Sequence, residues 1–388
     1  MKKVFTLIGA LFSASILLAQ GIQFFEGSFK EALVRANKEN KLVFVDAYAT
    51  WCGPCKLMTK DVFSDEKVAE FYNKNFINMK IDQEAGEGIQ FAKDYKVNLF
   101  PTLLYIDSKG TLAHKSYGYH EPIEFISLGR NAIHPETQLL SLQIQYLDKG
   151  GMKSKHLRNL VDALSIARLP YNEVLDTYIT NESLEDPDMI RFIVDYFPST
   201  VNCEVFQYIT SNKELILKIT QDSDGLNKKI NATLHTFLKE QGESDEINIL
   251  ATFKQYFPES CKIEAERFNI NRLKESADKE DQLNYLYRKV GFLLEHGTES
   301  WEELNAIAWK IYEDSEDMKL LSKAQELAKN SLDIDYNFYN VDTYTWICVK
   351  LGEIDTASKY AEKALFLGMK QDADVTQLED FLKSLADK

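Results

Sequence analysis

Hydrophobic positions divide the chain into two stretches with different periods. Between residues 22 and 133, short apolar runs alternate with helical stripes. Ser28 and Glu31 make a capping-box pattern, and Ala32, Leu33 and Ala36 give the following helix an apolar stripe that ends at Asn40-Lys41. Leu42-Val43-Phe44-Val45 is a continuous apolar run, the pattern of a strand buried on both faces. A helix is predicted after the next turn, running through Leu57 and Met58. Ser64 reads as the N-cap of a further helix carrying Val68, Phe71 and Tyr72. Residues 76–81 and 102–106 read as strands, with a short helix over 89–95 between them. A hairpin turn at 107–110 leads to a partner strand at 111–116, and a helix over 122–131 closes the stretch. Alternating elements in this order predict a mixed sheet with helices on both faces, an α/β domain.

From residue 134 onward the period is helical throughout. Ile190, Ile193, Val194 and Phe197 keep spacings of 3, 4 and 7, and Ile247, Leu250, Phe253 and Phe257 repeat the stripe. Each stripe ends in Tyr-Phe-Pro, at 196–198 and 256–258, and each is soon followed by a lone cysteine, Cys203 or Cys261. A second repeat lies near the end. Trp309 and Trp346 each precede an Ala-rich helix, at Ala324 to Ala328 and Ala357 to Ala361. Helix pairs of this length stack into solenoids. Residues 134–300 are therefore expected to form an all-α helical domain and 301–388 helical repeats. The last unit resembles a tetratricopeptide repeat, with Leu351-Gly352 in the turn and Ala357, Tyr360, Ala361 and Ala364 along the second helix. That resemblance implies protein or peptide binding by the repeats.

Composition narrows the partners. A formal charge of −15 speaks against nucleic acid as a partner, because phosphate binding needs a basic surface. Five cysteines, at 52, 55, 203, 261 and 348, are too few and too scattered for a disulfide framework. Six dispersed histidines give no metal-ligand cluster, so neither a metal nor another cofactor is expected. Lys2 and Lys3 precede a mostly apolar run over residues 4–18, the pattern of a bacterial-type signal peptide over 1–19 cleaved after Ala19. A retained membrane anchor is the alternative, and the run is short for a spanning helix. The expected destination is secreted or periplasmic, where disulfides persist.

The chemistry concentrates at Trp51-Cys52-Gly53-Pro54-Cys55. Disulfide exchange needs an acidified thiol to attack and a second thiol near enough to resolve the mixed disulfide. A helix N-terminus acidifies the first thiol, and a spacing of three puts both on one helical face. Cys52 is therefore the expected attacking thiol, exposed, and Cys55 the more buried resolving one. Pro54 is tolerated in the first helical turn. A zinc site would need a second Cys or His pair, which the sequence lacks.

With this motif after a buried strand, Asp46 on that strand and Pro101-Thr102 before the third, residues 25–133 resemble the thioredoxin family. The resemblance implies a thioredoxin-like fold and a redox-active Cys52–Cys55 disulfide, with Trp51, Gly53 and Pro54 supporting it. It also implies a cis Pro101 facing the pair, with Phe100, Pro101 and Thr102 shaping the client groove. Asp46 would be the buried acid that exchanges a proton with Cys55, since burial raises a carboxyl pKa. Relatives often pair this acid with a lysine on the next strand; aligning on Ile81-Asp82 puts Asn78 there instead. Phe100 is bulkier than its usual counterpart. The run 61–65 resembles exported thioredoxin-like domains of transmembrane electron-relay proteins, which implies a membrane donor. A Gly-Pro dipeptide goes with reducing members. The expected function is an exported thiol–disulfide oxidoreductase acting on protein disulfides. A disulfide oxidase or isomerase, and a helical-repeat binding scaffold with a secondary redox domain, remain open at this point.

Overall fold

The computed structural model describes residues 21–148 and 151–386; the leader expected at 1–19 lies outside them. Helix α1 (Phe29–Glu39) starts at the Ser28–Glu31 capping box and stops at Asn40, whose φ of 50° turns the chain into β1 (Leu42–Tyr48). After it come α2 (Gly53–Leu57), a π-helical turn at Met58–Val62, and α3 (Glu66–Asn75). The N-cap of α3 is Asp65 rather than Ser64: the Asp65 carboxylate accepts from the Lys67 and Val68 N–H groups, whereas the Ser64 hydroxyl turns back to the Lys60 carbonyl. A carboxylate is the stronger acceptor at a helix N-terminus. Then follow β2 (Phe76–Asp82), α4 (Gly88–Asp94), β3 (Thr102–Ile106), β4 (Leu112–Tyr117) and α5 (Pro122–Ile133).

The four strands form one sheet in the order β2-β1-β3-β4, β1 running parallel to β2 and antiparallel to β3. This puts β1, the strand leading to Cys52, in the middle. One face buries an aromatic cluster of Phe44, Tyr72, Tyr105 and Phe125, with Tyr72 and Phe125 stacked at 4.1 Å. The other buries Val43, Val45, Ile77, Met79 and Leu104 under α1 and Phe91. Two packed faces explain why β1 reads as unbroken apolar sequence.

Helices continue the chain without further strands among the described residues: α6 (Leu139–Leu147), α7 (Ser154–Ile166), α8 (Asn172–Thr180), α9 (Pro187–Asp195), α10 (Glu204–Ser211), α11 (Lys213–Thr220) and α12 (Ser223–Glu240). The first two cover the edge strand β4, an otherwise unpaired edge. The Leu139 N–H, at the start of α6, donates to Nδ1 of the buried His114 at 3.2 Å. The chain divides into two compact units, one reaching Thr233 and one starting at Leu234. The second contains α13 (Glu246–Tyr256), α14 (Cys261–Lys274), α15 (Lys279–His296), α16 (Trp301–Asp314), α17 (Met318–Ile334), α18 (Phe338–Lys350), α19 (Ile354–Lys370) and α20 (Thr376–Ala386). There α16 packs on α17 and α18 on α19, with Ala324, Ala328, Ala357, Ala361 and Ala364 fully buried where helices approach closely.

Candidate active site

The site forms where β1 gives way to α2. Cys52 is the N-cap of α2, and its Sγ accepts the Cys55 N–H at 3.1 Å. That N–H is one of the helix's unpaired donors, and donation to sulfur favours the thiolate form of Cys52. Cys52 and Cys55 are joined by a disulfide. Exposure does not separate them as expected: each is 3% exposed. In the disulfide form both pack with Ala49, and Tyr48 and Phe100 lie against the same cluster. What separates them is neighbours. Cys52 holds the capping position, while Cys55 opens on a cleft of about 270 Å³ shared with Tyr48, Thr59 and Lys80.

Asp46 is fully buried, and neither carboxylate oxygen accepts a hydrogen bond. Burial pushes its pKa up to about 6, and the Lys80 ammonium opposes that rise. Lys80 lies directly opposite Asp46 in the β1–β2 register, with Nζ 3.5 Å from Oδ2. This corrects the sequence alignment: Lys80, not Asn78, fills the lysine position. Asn78 shares the face two residues away, and its amide donates to Gln23 O and Asn73 Oδ1. Lys80 Nζ also donates to Thr59 Oγ1 at 2.6 Å, and Thr59 Oγ1 donates to the Cys55 carbonyl at 3.1 Å. The buried acid is thus linked through Lys80 to the turn that holds Cys55. Asn78 and Lys80, two residues apart, point to one strand face, and the register places Lys80 opposite Asp46.

Around the cysteines the surface is apolar. Trp51 is 64% exposed, its indole Nε1 donates to Glu84 at 2.9 Å, and its ring meets Phe100 edge-on at 5.8 Å. Glu84 had no signal in the motif, because it comes from the turn after β2. Gly53 and Pro54 are exposed beside Trp51. The Phe100–Pro101 peptide is cis. Thr102 is buried and donates to the Leu99 carbonyl at 2.6 Å, and the Pro101 carbonyl accepts from Gly118 N–H at 2.8 Å. Cys203, Cys261 and Cys348 lie elsewhere, buried and free. Burial raises the thiol pKa of Cys203 and Cys348, so neither is primed to attack.

Residues 29–133 match the family model of a thioredoxin-like domain. The chloroplastic thioredoxin-like protein CITRX of Arabidopsis thaliana is 40% identical over 76 residues, 20% of this chain and 38% of that protein. The thiol:disulfide interchange protein DsbD of Pseudoalteromonas atlantica is 34% identical over 84 residues, 21% of this chain and 14% of that protein. The chain spans only 36% to 38% of the first curated relatives it matches. Among solved structures, a Bacteroides thetaiotaomicron protein described as a candidate disulphide-isomerase is 45% identical. That match covers 30% of this chain and 96% of that one, with a TM-score of 0.28.

Proposed function

We propose, proceeding from the thioredoxin-like domain that residues 29–133 form, that this chain is an exported reductase of protein disulfides. The observation that carries the reading is the Cys52–Cys55 pair at a helix start beside an acid whose pKa is pushed up to about 6. In the reduced form, the Cys52 thiolate attacks a client sulfur and releases the first client thiolate. A Cys52–client mixed disulfide forms. Asp46 accepts the Cys55 proton, by way of the cleft that Cys55 and Lys80 share. The Cys55 thiolate then attacks Cys52 Sγ and releases the second client thiolate. Two electrons pass to the client, and the pair is left as a disulfide for an external dithiol to reduce.

The thiol:disulfide interchange named for the Pseudoalteromonas atlantica relative supports the reaction class. A membrane electron relay is the proposed donor, on the resemblance of the run 61–65 to exported thioredoxin-like domains. Export rests on the Lys2-Lys3 start and the apolar run after it; a mature N-terminus at Gln20 would agree with it. The helical region is proposed to hold protein clients. The test is client trapping in the expressing cell. Cys55→Ser should accumulate mixed disulfides through Cys52, and Cys52→Ser should not. Equal trapping by both variants, or by neither, contradicts the assignment of roles.

A further inference from the structure

Lys115 stands on β4 and is only 6% exposed. Its ammonium lies 3.3 Å from the Tyr95 carbonyl, 3.5 Å from the Lys96 carbonyl and 4.8 Å from the centre of the Tyr117 ring. Desolvating an ammonium is costly unless its protons find acceptors. Here the acceptors are the carbonyls at the end of α4, where Tyr95 is the C-cap and the helix dipole is negative. One interaction thus solvates a buried charge and ties the end of α4 to β4.

The chain leaves that point for the client groove. It runs from Lys96 through Leu99 and Phe100 to Pro101, and its far end is tied to β4 as well. Gly118 N–H donates to the Pro101 carbonyl, and Tyr117 opposes Thr102 in the β3–β4 ladder. Outside the thioredoxin-like domain, Arg168 adds a third tie. It sits between α7 and α8, with its guanidinium 5.4 Å from the centre of the Tyr117 ring.

We propose that Lys115 is a positioning residue for the client groove, fixing the segment that carries Leu99, Phe100 and Pro101, and that Arg168 extends this brace to the helical region. The proposal rests on the reductase reading, but it makes one claim independent of activity: Lys115 and Arg168 restrain the two ends of the segment, at Val97 and at the Pro101–Gly118 bond.

The experiment uses the full chain with Lys115→Met, Lys115→Arg and Arg168→Ala. Reduction of insulin, with dithiothreitol as electron source, is compared with reduction of the small disulfide 5,5′-dithiobis(2-nitrobenzoate), which needs no groove. Lys115→Met should raise KM for insulin about 5-fold, leaving kcat and the small-disulfide rate within about 2-fold of wild type. Lys115→Arg should restore KM. Amide exchange at Val97, whose N–H donates to the Ala92 carbonyl, and at Gly118, whose N–H donates to the Pro101 carbonyl, should quicken about 10-fold in Lys115→Met and less, in the same direction, in Arg168→Ala. Unchanged exchange in both variants overturns the brace. A fall in kcat with KM unchanged overturns the positioning role. If Lys115→Met does not fold, Arg168→Ala, altered at an exposed side chain, decides through the same two readouts. If the wild-type chain reduces neither disulfide, the reductase reading fails, and exchange alone still decides the brace.

Discussion

Asp46 is where a single residue carries most of the consequence. Its pKa in the folded chain, about 6, exceeds the ordinary 3.8. Folding therefore favours the protonated acid. The stability this contributes is complete below pH 3.8 and is lost as pH rises through about 6. At pH 7 and above, ionised Asp46 costs the fold about 3 kcal/mol relative to a neutral isostere. Asp46→Asn should accordingly raise the denaturation midpoint at pH 8, with no gain at pH 3.5, in urea titrations at the two pH values. The same variant should slow turnover with a protein disulfide on the order of 100-fold at pH 7, because Cys55 loses its proton acceptor. Stability gained and activity lost together would mark a group kept for chemistry rather than for the fold. Lys80 makes a second test. Lys80→Met removes the charge that opposes the rise, so the acid limb of the rate profile should move upward from about pH 6. Asn78→Ala should leave that limb where it is. The two cysteines were legible from their spacing at a helix start, and the acid and the proline from the resemblance to the thioredoxin family. The lysine was not, because two polar residues on one strand face can be told apart only by the pairing register.

At the scale of elements, the strands of the first domain were legible because β1 and β3 are buried on both faces and carry unbroken apolar runs. The capping box of α1 was equally plain. The π-helical turn at Met58–Val62 was not, since five residues of slightly wider winding leave no periodic signature. Nor did the sequence indicate that α6 and α7 would cover β4. Strand period gives way to helical period near residue 134, and a change of period does not say what packs on what. His114 is the residue that joins the two. Burial lowers its pKa to about 4, and its Nδ1 accepts the Leu139 N–H only while neutral. A depressed histidine pKa means the fold binds the neutral ring. The stability it contributes is full above pH 6.5 and is lost as pH falls toward about 4, by up to about 3 kcal/mol. Thermal melts between pH 7 and pH 4 should show this loss in the wild type and a smaller one in His114→Leu, after allowing for its lower starting point. A loss of equal size in both would place the acid sensitivity elsewhere.

At the scale of the whole molecule, the redox domain accounts for little more than a quarter of the chain. Helices and the turns between them make up the described residues after 133, and the proposed hold on protein clients is assigned to them. The Trp309 and Trp346 repeat was visible in sequence as a recurring helix pair, and the structure supplies those pairs as α16 with α17 and α18 with α19. What no periodicity conveys is direction of electron flow, because reductases and oxidases share the same cysteine spacing. That depends on the relative stability of dithiol and disulfide, a quantity set by charge and hydrogen bonding at Cys52. Equilibrating the full chain with graded ratios of reduced and oxidised dithiothreitol, and reading the fraction of Cys52–Cys55 disulfide, measures it directly. A reductase predicts a potential near about −270 mV, the value characteristic of thioredoxin, whereas a potential near about −120 mV, as in strong disulfide oxidants, would contradict it.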